Sequence, residues 1–102
     1  AFSYSEVLEL TQDPAGRYFI NSLYPNPAKN QANLKYYIPR NKQARLEIVD
    51  IQGRKLFEES LNGSEELQRK VLDLSNWISG LYFLLLRGPQ GILSSKSFHI
   101  LP

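Results

Sequence analysis

The sequence predicts an all-β, antiparallel β-sandwich of about seven strands, on three observations. Segments of period two, or rich in aromatic and β-branched residues, recur along the chain. Turn signals built on Gly, Pro and Asn separate them every ~8–12 residues. No segment carries a convincing helical period. Strands joined by such short loops are mostly antiparallel, because a parallel crossover needs about a dozen residues or more.

The elements follow in order. In Ala1–Leu10, the residues Phe2, Tyr4, Leu8 and Leu10 fall on one side of an extended chain, interrupted by Glu6, which reads as a strand. Asp13-Pro14-Ala15-Gly16 is a turn, since proline presets φ and glycine permits positive φ. Arg17–Tyr24 is a second strand, stopped by Pro25-Asn26-Pro27. Two prolines remove two ladder donors and push Asn26 out of the helical region, so an extended, rigid segment is expected. Leu34, Tyr36 and Ile38 alternate with Lys35 and Tyr37 in a half-buried strand closed by Pro39. Arg45–Ile51 and Arg54–Leu61 flank Gln52-Gly53, the clearest hairpin. Leu46 and Ile48 should point inward and Glu47 outward, with a bulge near the turn where Val49-Asp50-Ile51 breaks the alternation.

Asn62-Gly63-Ser64 is the next turn. Leu67–Leu74 is ambiguous between helix and strand and leans to strand through Val71-Leu72-Asp73-Leu74. Leu81–Leu86 is apolar on both faces and reads as a central strand covered twice. Arg87–Gly91 is a hairpin loop, and Ile92–Leu101 closes the chain with Phe98 and Ile100 on one face. The whole is an immunoglobulin-like sandwich without the Cys…Trp…Cys signature of true immunoglobulin domains.

The chain of 102 residues suits one domain. Its longest apolar run, the six residues Leu81–Leu86, is far short of the ~20 of a membrane span, so no membrane insertion is expected. A net charge of +2, spread along the chain, does not point to nucleic acid. There is no cysteine, which excludes thiolate chemistry and disulfides, and no methionine even at position 1, so the sequence reads as a piece of something longer.

Catalysis finds little support. His99 is the one histidine, and neither a nucleophile nor an orienting carboxylate is suggested beside it. With no cysteine and no Asp-rich loop, a metal site lacks ligands, and no cofactor is expected. The adjacent acids Glu58-Glu59 and Glu65-Glu66 point to opposite faces of a strand and read as a solvated hairpin end. Tyr37 is the one candidate for an exposed stacking platform, and Trp77 reads as a plug at one end of the sandwich.

Three ordered segments carry a resemblance. They are Leu23-Tyr24-Pro25-Asn26-Pro27-Ala28; Ile48–Arg54 (IVDIQGR); and Leu72-Asp73-Leu74-Ser75 followed by Ser79–Leu84 (SGLYFL), with Lys96–Ile100 near the end. The set resembles the type A C-terminal sorting domain of type IX secretion cargo, with the match running from about Leu23 to Ile100 and the domain taken as residues 23–102. The resemblance implies a non-catalytic immunoglobulin-like sandwich at the end of a larger secreted or surface protein. Its partners would be outer-membrane components of the secretion system and a sortase-like peptidase. It implies sorting-motif residues Tyr24, Pro25, Asn26, Pro27, Gly53, Arg54, Gly80, Tyr82, Lys96, Phe98 and Ile100. Gly53 is expected at a turn, Arg54 capping that hairpin, and Gly80 at the start of the Leu81 strand. The last strand could serve as the signal by adding its edge to a receptor sheet.

The resemblance leaves residues 1–22 as a linker or an added N-terminal strand. An uncovered edge there could pair two copies, so a homodimer through Phe2–Leu10 is a further expectation. The alternative function is an accessory binding module, for a glycan or a surface partner, of a secreted hydrolase or adhesin.

Overall fold

The computed structural model describes residues 18–89 and 91–102. The expected strand over Ala1–Leu10 and the turn at Asp13–Gly16 lie outside them. The described residues form seven strands: β1 (Phe19–Tyr24), β2 (Gln31–Tyr37), β3 (Gln43–Asp50), β4 (Lys55–Asn62), β5 (Gln68–Asp73), β6 (Gly80–Gly88) and β7 (Gly91–Ile100). They pair antiparallel in two sheets, ordered β1-β2-β5 and β4-β3-β6-β7, an immunoglobulin-like sandwich. The ambiguous Leu67–Leu74 segment is a strand over Gln68–Asp73, with Leu72 buried and Val71 exposed. Its period of two decides the matter, because only one of its faces has a sheet to pack against.

One core fills the space between the sheets. Leu34, Tyr36 and Leu72 from the three-stranded sheet meet Leu46, Ile48, Leu84, Leu86 and Phe98 from the four-stranded one. Burying a side chain of this size stabilises by about 1.5–3 kcal/mol each, which must offset the chain entropy. The expected double burial of the apolar run is present, since Tyr82 to Leu86 are all buried. Phe83 and Leu85 belong to a second cluster with Val49 and Ile92.

The bulge foreseen near the Gly53 turn exists, with its extra residue on β4. Ile48 pairs with Phe57 and Val49 with Lys55, leaving Leu56 unopposed. At the other end of the sandwich the turn after β4 depends on Gly63. A Cβ there would lie 1.7 Å from the Pro39 carbonyl oxygen, so a side chain has no room. The close approach lets the Gly63 N–H donate to Lys42 O (2.8 Å) and the Ser64 N–H to Ile38 O (2.9 Å).

Glu47 corrects the sequence reading. It faces away from Leu46 and Ile48, as alternation requires, yet it is only 4% exposed. Arg87 Nε donates to its Oε1 at 3.1 Å, and Arg45 lies 3.5 Å from its Oε2. A carboxylate can be buried when paired in this way.

Phe98 is 1% exposed and anchors the last strand. Phe98→Ala is expected to cost about 3–5 kcal/mol, read from the denaturant midpoint of the full chain.

Candidate functional site

The turns that carry the motif residues gather at one end of the sandwich. Antiparallel pairing brings there the end of β1, the Gly53 turn after β3, the end of β5, the start of β6 and the end of β7. Asp50 pairs with Tyr82, Tyr82 with Phe98, and Gly80 with Ile100. Lys96 is the exception, half-buried in the middle of β7 opposite Leu84.

Pro25-Asn26-Pro27 forms the corner between β1 and β2. The extended form expected from the sequence is not what the chain adopts. The segment bends, and both Tyr24–Pro25 and Asn26–Pro27 peptide bonds are cis. Proline permits this because its tertiary amide has only a small preference for trans.

The bend lays the corner along the outer edge of β7. Asn26 Nδ2 donates to Ser97 O at 3.3 Å, and Asn26 Oδ1 accepts from the His99 N–H at 3.2 Å. Ala28, fully buried, continues as a parallel bridge to Ile100. Its N–H donates to His99 O (2.8 Å) and its carbonyl accepts from the Leu101 N–H (2.7 Å). The edge of β7 that sequence reasoning offered to a receptor sheet is therefore occupied from Ser97 to Leu101 by the chain itself.

The Gly53 turn is organised by Asp50. One carboxylate oxygen accepts from the Gln52 N–H (2.9 Å) and the Arg54 N–H (3.0 Å), and the other accepts from Arg54 Nε (2.7 Å). Gly53 has φ 82°, which glycine adopts without the steric cost a Cβ would bring, and its N–H donates to Asp50 O at 3.0 Å. Arg54 closes the hairpin through Asp50, a residue that the sequence reading left without a role. The D-x-x-G-R spacing could have found it, since a short carboxylate accepts well from amides two residues on. Desolvation pushes the Asp50 carboxyl up, but the hydrogen bonds from Arg54 and Gln52 and the Arg54 charge outweigh it and hold the pKa below the ordinary value.

Aromatic residues fill the same end. Tyr82 stacks on Phe98 at 5.8 Å and meets Trp77 edge-on at 5.4 Å, and its hydroxyl donates to Ile78 O at 2.5 Å. Trp77 is half-buried against the core, which fits a plug. Asp73 accepts from the hydroxyl and the N–H of Ser75 at 2.7 and 3.0 Å, and these bonds lower its pKa. Gly80 has φ 152° where β6 begins.

The other candidates are placed plainly. His99 is an exposed strand residue engaged through its backbone. Glu58 pairs with Lys55, Glu59 with Lys70 and Glu65 with Arg40. The Tyr37 ring is stacked on Phe19 at 5.5 Å, and Tyr37 is half-buried. Among the described residues no group of three His, Cys, Asp or Glu could hold a metal ion.

Asn26→Ala removes two hydrogen bonds and is expected to cost about 0.5–1.5 kcal/mol for each, read from the denaturant midpoint. Asp50 supplies a pH test. Its pKa is lowered by folding, so the stability it contributes is present above the unfolded value near 3.9 and lost as pH falls through the folded one. Asp50→Asn should therefore melt below the parent chain at about pH 7, and the gap should narrow at about pH 2.

A family model described as "Secretion system C-terminal sorting domain" matches residues 22–99. No curated protein matches the chain. Among solved structures, a selenomethionine-labelled β-glucosidase from Kluyveromyces marxianus is similar in fold, with a TM-score of 0.56 and 12% identity. The likeness covers 84% of this chain and 14% of that one, so the chain spans a small part of the enzyme's length. A type IX C-terminal sorting domain marks its carrier for export through the outer membrane to the cell surface or the extracellular space. The motifs gathered at one end of the sandwich, and a match over most of the length, place this chain in the C-terminal sorting domain family of the type IX secretion system.

Proposed function

We propose that this chain is the folded address of a larger cargo protein, and that the motif-bearing end of the sandwich is the surface the secretion machinery reads. One observation carries the reading. Tyr24 (73% exposed), Ile51 (57%), Ile78 (82%) and Leu101 (41%) all lie at that end. Large apolar side chains gathered at one end of a small domain favour a protein partner. The Ala28 bridge, the Asp50 turn and the Tyr82 cluster hold the loops that carry them, so little entropy is lost on docking. The partner is an outer-membrane component of the type IX system. A sortase-like peptidase then cuts in the chain preceding the folded unit. We assign the domain no reaction of its own.

The test fuses the chain to a periplasmic reporter in a host that carries the machinery. The parent chain should export the reporter. The Ile51→Ser, Ile78→Ser double variant should melt like the parent and export at least about a hundredfold less, since two lost isoleucine contacts at about 1.5–3 kcal/mol each weaken docking by about 3–6 kcal/mol. A reporter that stays in the periplasm with the parent chain contradicts the sorting reading. Unchanged export by a folded double variant contradicts the choice of surface.

A further inference from the structure

The four-stranded sheet is buried on both faces, and the three-stranded sheet covers one. Leu46, Ile48, Leu84 and Leu86 point into the sandwich. Val49, Phe83 and Leu85 point the other way, since Val49 pairs with Phe83 and Glu47 with Leu85. With Ile92 they form a separate cluster exposed by only 0–2%. A Phe and a Leu at the centre of a wetted sheet face would keep part of their surface in water. Glu47 on this face is buried as well, and Phe83, Arg87 and Ser95 beside it each have an interaction partner. Yet among the described residues the strands make two layers, and none of the three-stranded sheet belongs to this cluster. The face requires a third layer.

We propose that the layer is the chain's own segment Phe2–Leu10, outside the described residues, laid along the outer face of β3, β6 and β7. Its composition fits, because Phe2, Tyr4, Leu8 and Leu10 fall on one side of an extended chain. Its reach fits too. The chain enters β1 beside β7, where the Ile20 N–H donates to Ser94 Oγ at 3.2 Å, two residues from Ile92. The seventeen residues before Tyr18 span up to about 56–61 Å when extended. The ten residues of β7 span about 33 Å. The turn signal Asp13–Gly16 stands between the segment and β1, where the chain must change direction. Charge agrees. Arg45, Arg87 and Lys55 meet Glu47 and Glu58 on this face, three cations to two carboxylates. Glu6, which breaks the apolar row, supplies the missing negative charge. The sorting unit then begins near Phe2 rather than near residue 22.

The test places a nitroxide on Ser97→Cys in the full chain, which has no cysteine of its own. Ser97 pairs with Phe83, and its side chain is on the outer face and exposed. The amide signals of Phe2–Leu10 should lose most of their intensity in the labelled chain. They should keep it when isotope-labelled parent chain is mixed with spin-labelled chain lacking the isotope. Leu8→Asp with Leu10→Asp should restore the signals and raise binding of an apolar dye, while cooperative melting of the sandwich persists. Unbroadened Phe2–Leu10 signals in the single-chain sample overturn the proposal. Broadening in the mixed sample alone gives the face to a second copy and also overturns it. All these readouts come from the isolated chain, so they stand or fall separately from export.

Discussion

Both backbone groups of Ala28 are spent on the last strand, and the sandwich depends on that seam. Its N–H reaches His99 O and its carbonyl takes the Leu101 N–H. β7 is an edge strand of the larger sheet, and an uncovered edge invites pairing with other chains. The seam closes it where β7 ends, and Asn26 extends the closure to Ser97. A side chain with one donor group and one acceptor group suits the task, because it can meet a carbonyl and an amide of the same strand edge. A small residue at position 28 suits it as well, since the site is fully buried.

The motif residues thus share a structural role before any recognition role. Tyr82 and Phe98 fill the end of the core, Asp50 and Gly53 shape the turn beside it, and Pro25-Asn26-Pro27 carries the chain across to β7. Together they hold the turn and the loop that bear Ile51 and Ile78. Recognition by another machine asks for a surface that does not need to be ordered on contact, and a closed, hydrogen-bonded end meets that requirement.

Much of this was legible in the sequence, for identifiable reasons. The alternation of Leu34, Tyr36 and Ile38 and the apolar run Leu81–Leu86 report burial directly, one face in the first case and two in the second. Gly53 announced its turn because few other residues adopt positive φ without cost. Tertiary pairing was less legible. Nothing local in Pro25-Asn26-Pro27 says that its partner is Ser97–His99, more than seventy positions away. The burial of Glu47 was missed because alternation gives the face of a residue and not what covers that face. Arg87, which compensates it, lies forty positions on. The strand character of Gln68–Asp73 stayed open because six residues with mixed charges satisfy either period until β2 is placed beside them.

The seam is tested most directly by native-state hydrogen exchange at the amides of Ala28 and Leu101. If the corner closes the edge of β7, both should exchange only through openings nearly as costly as global unfolding, alongside the amides of β6. Exchange of Ala28 and Leu101 at the rate of exposed turn amides, with β6 still protected, would show that β7 stands as an open edge and contradict the account.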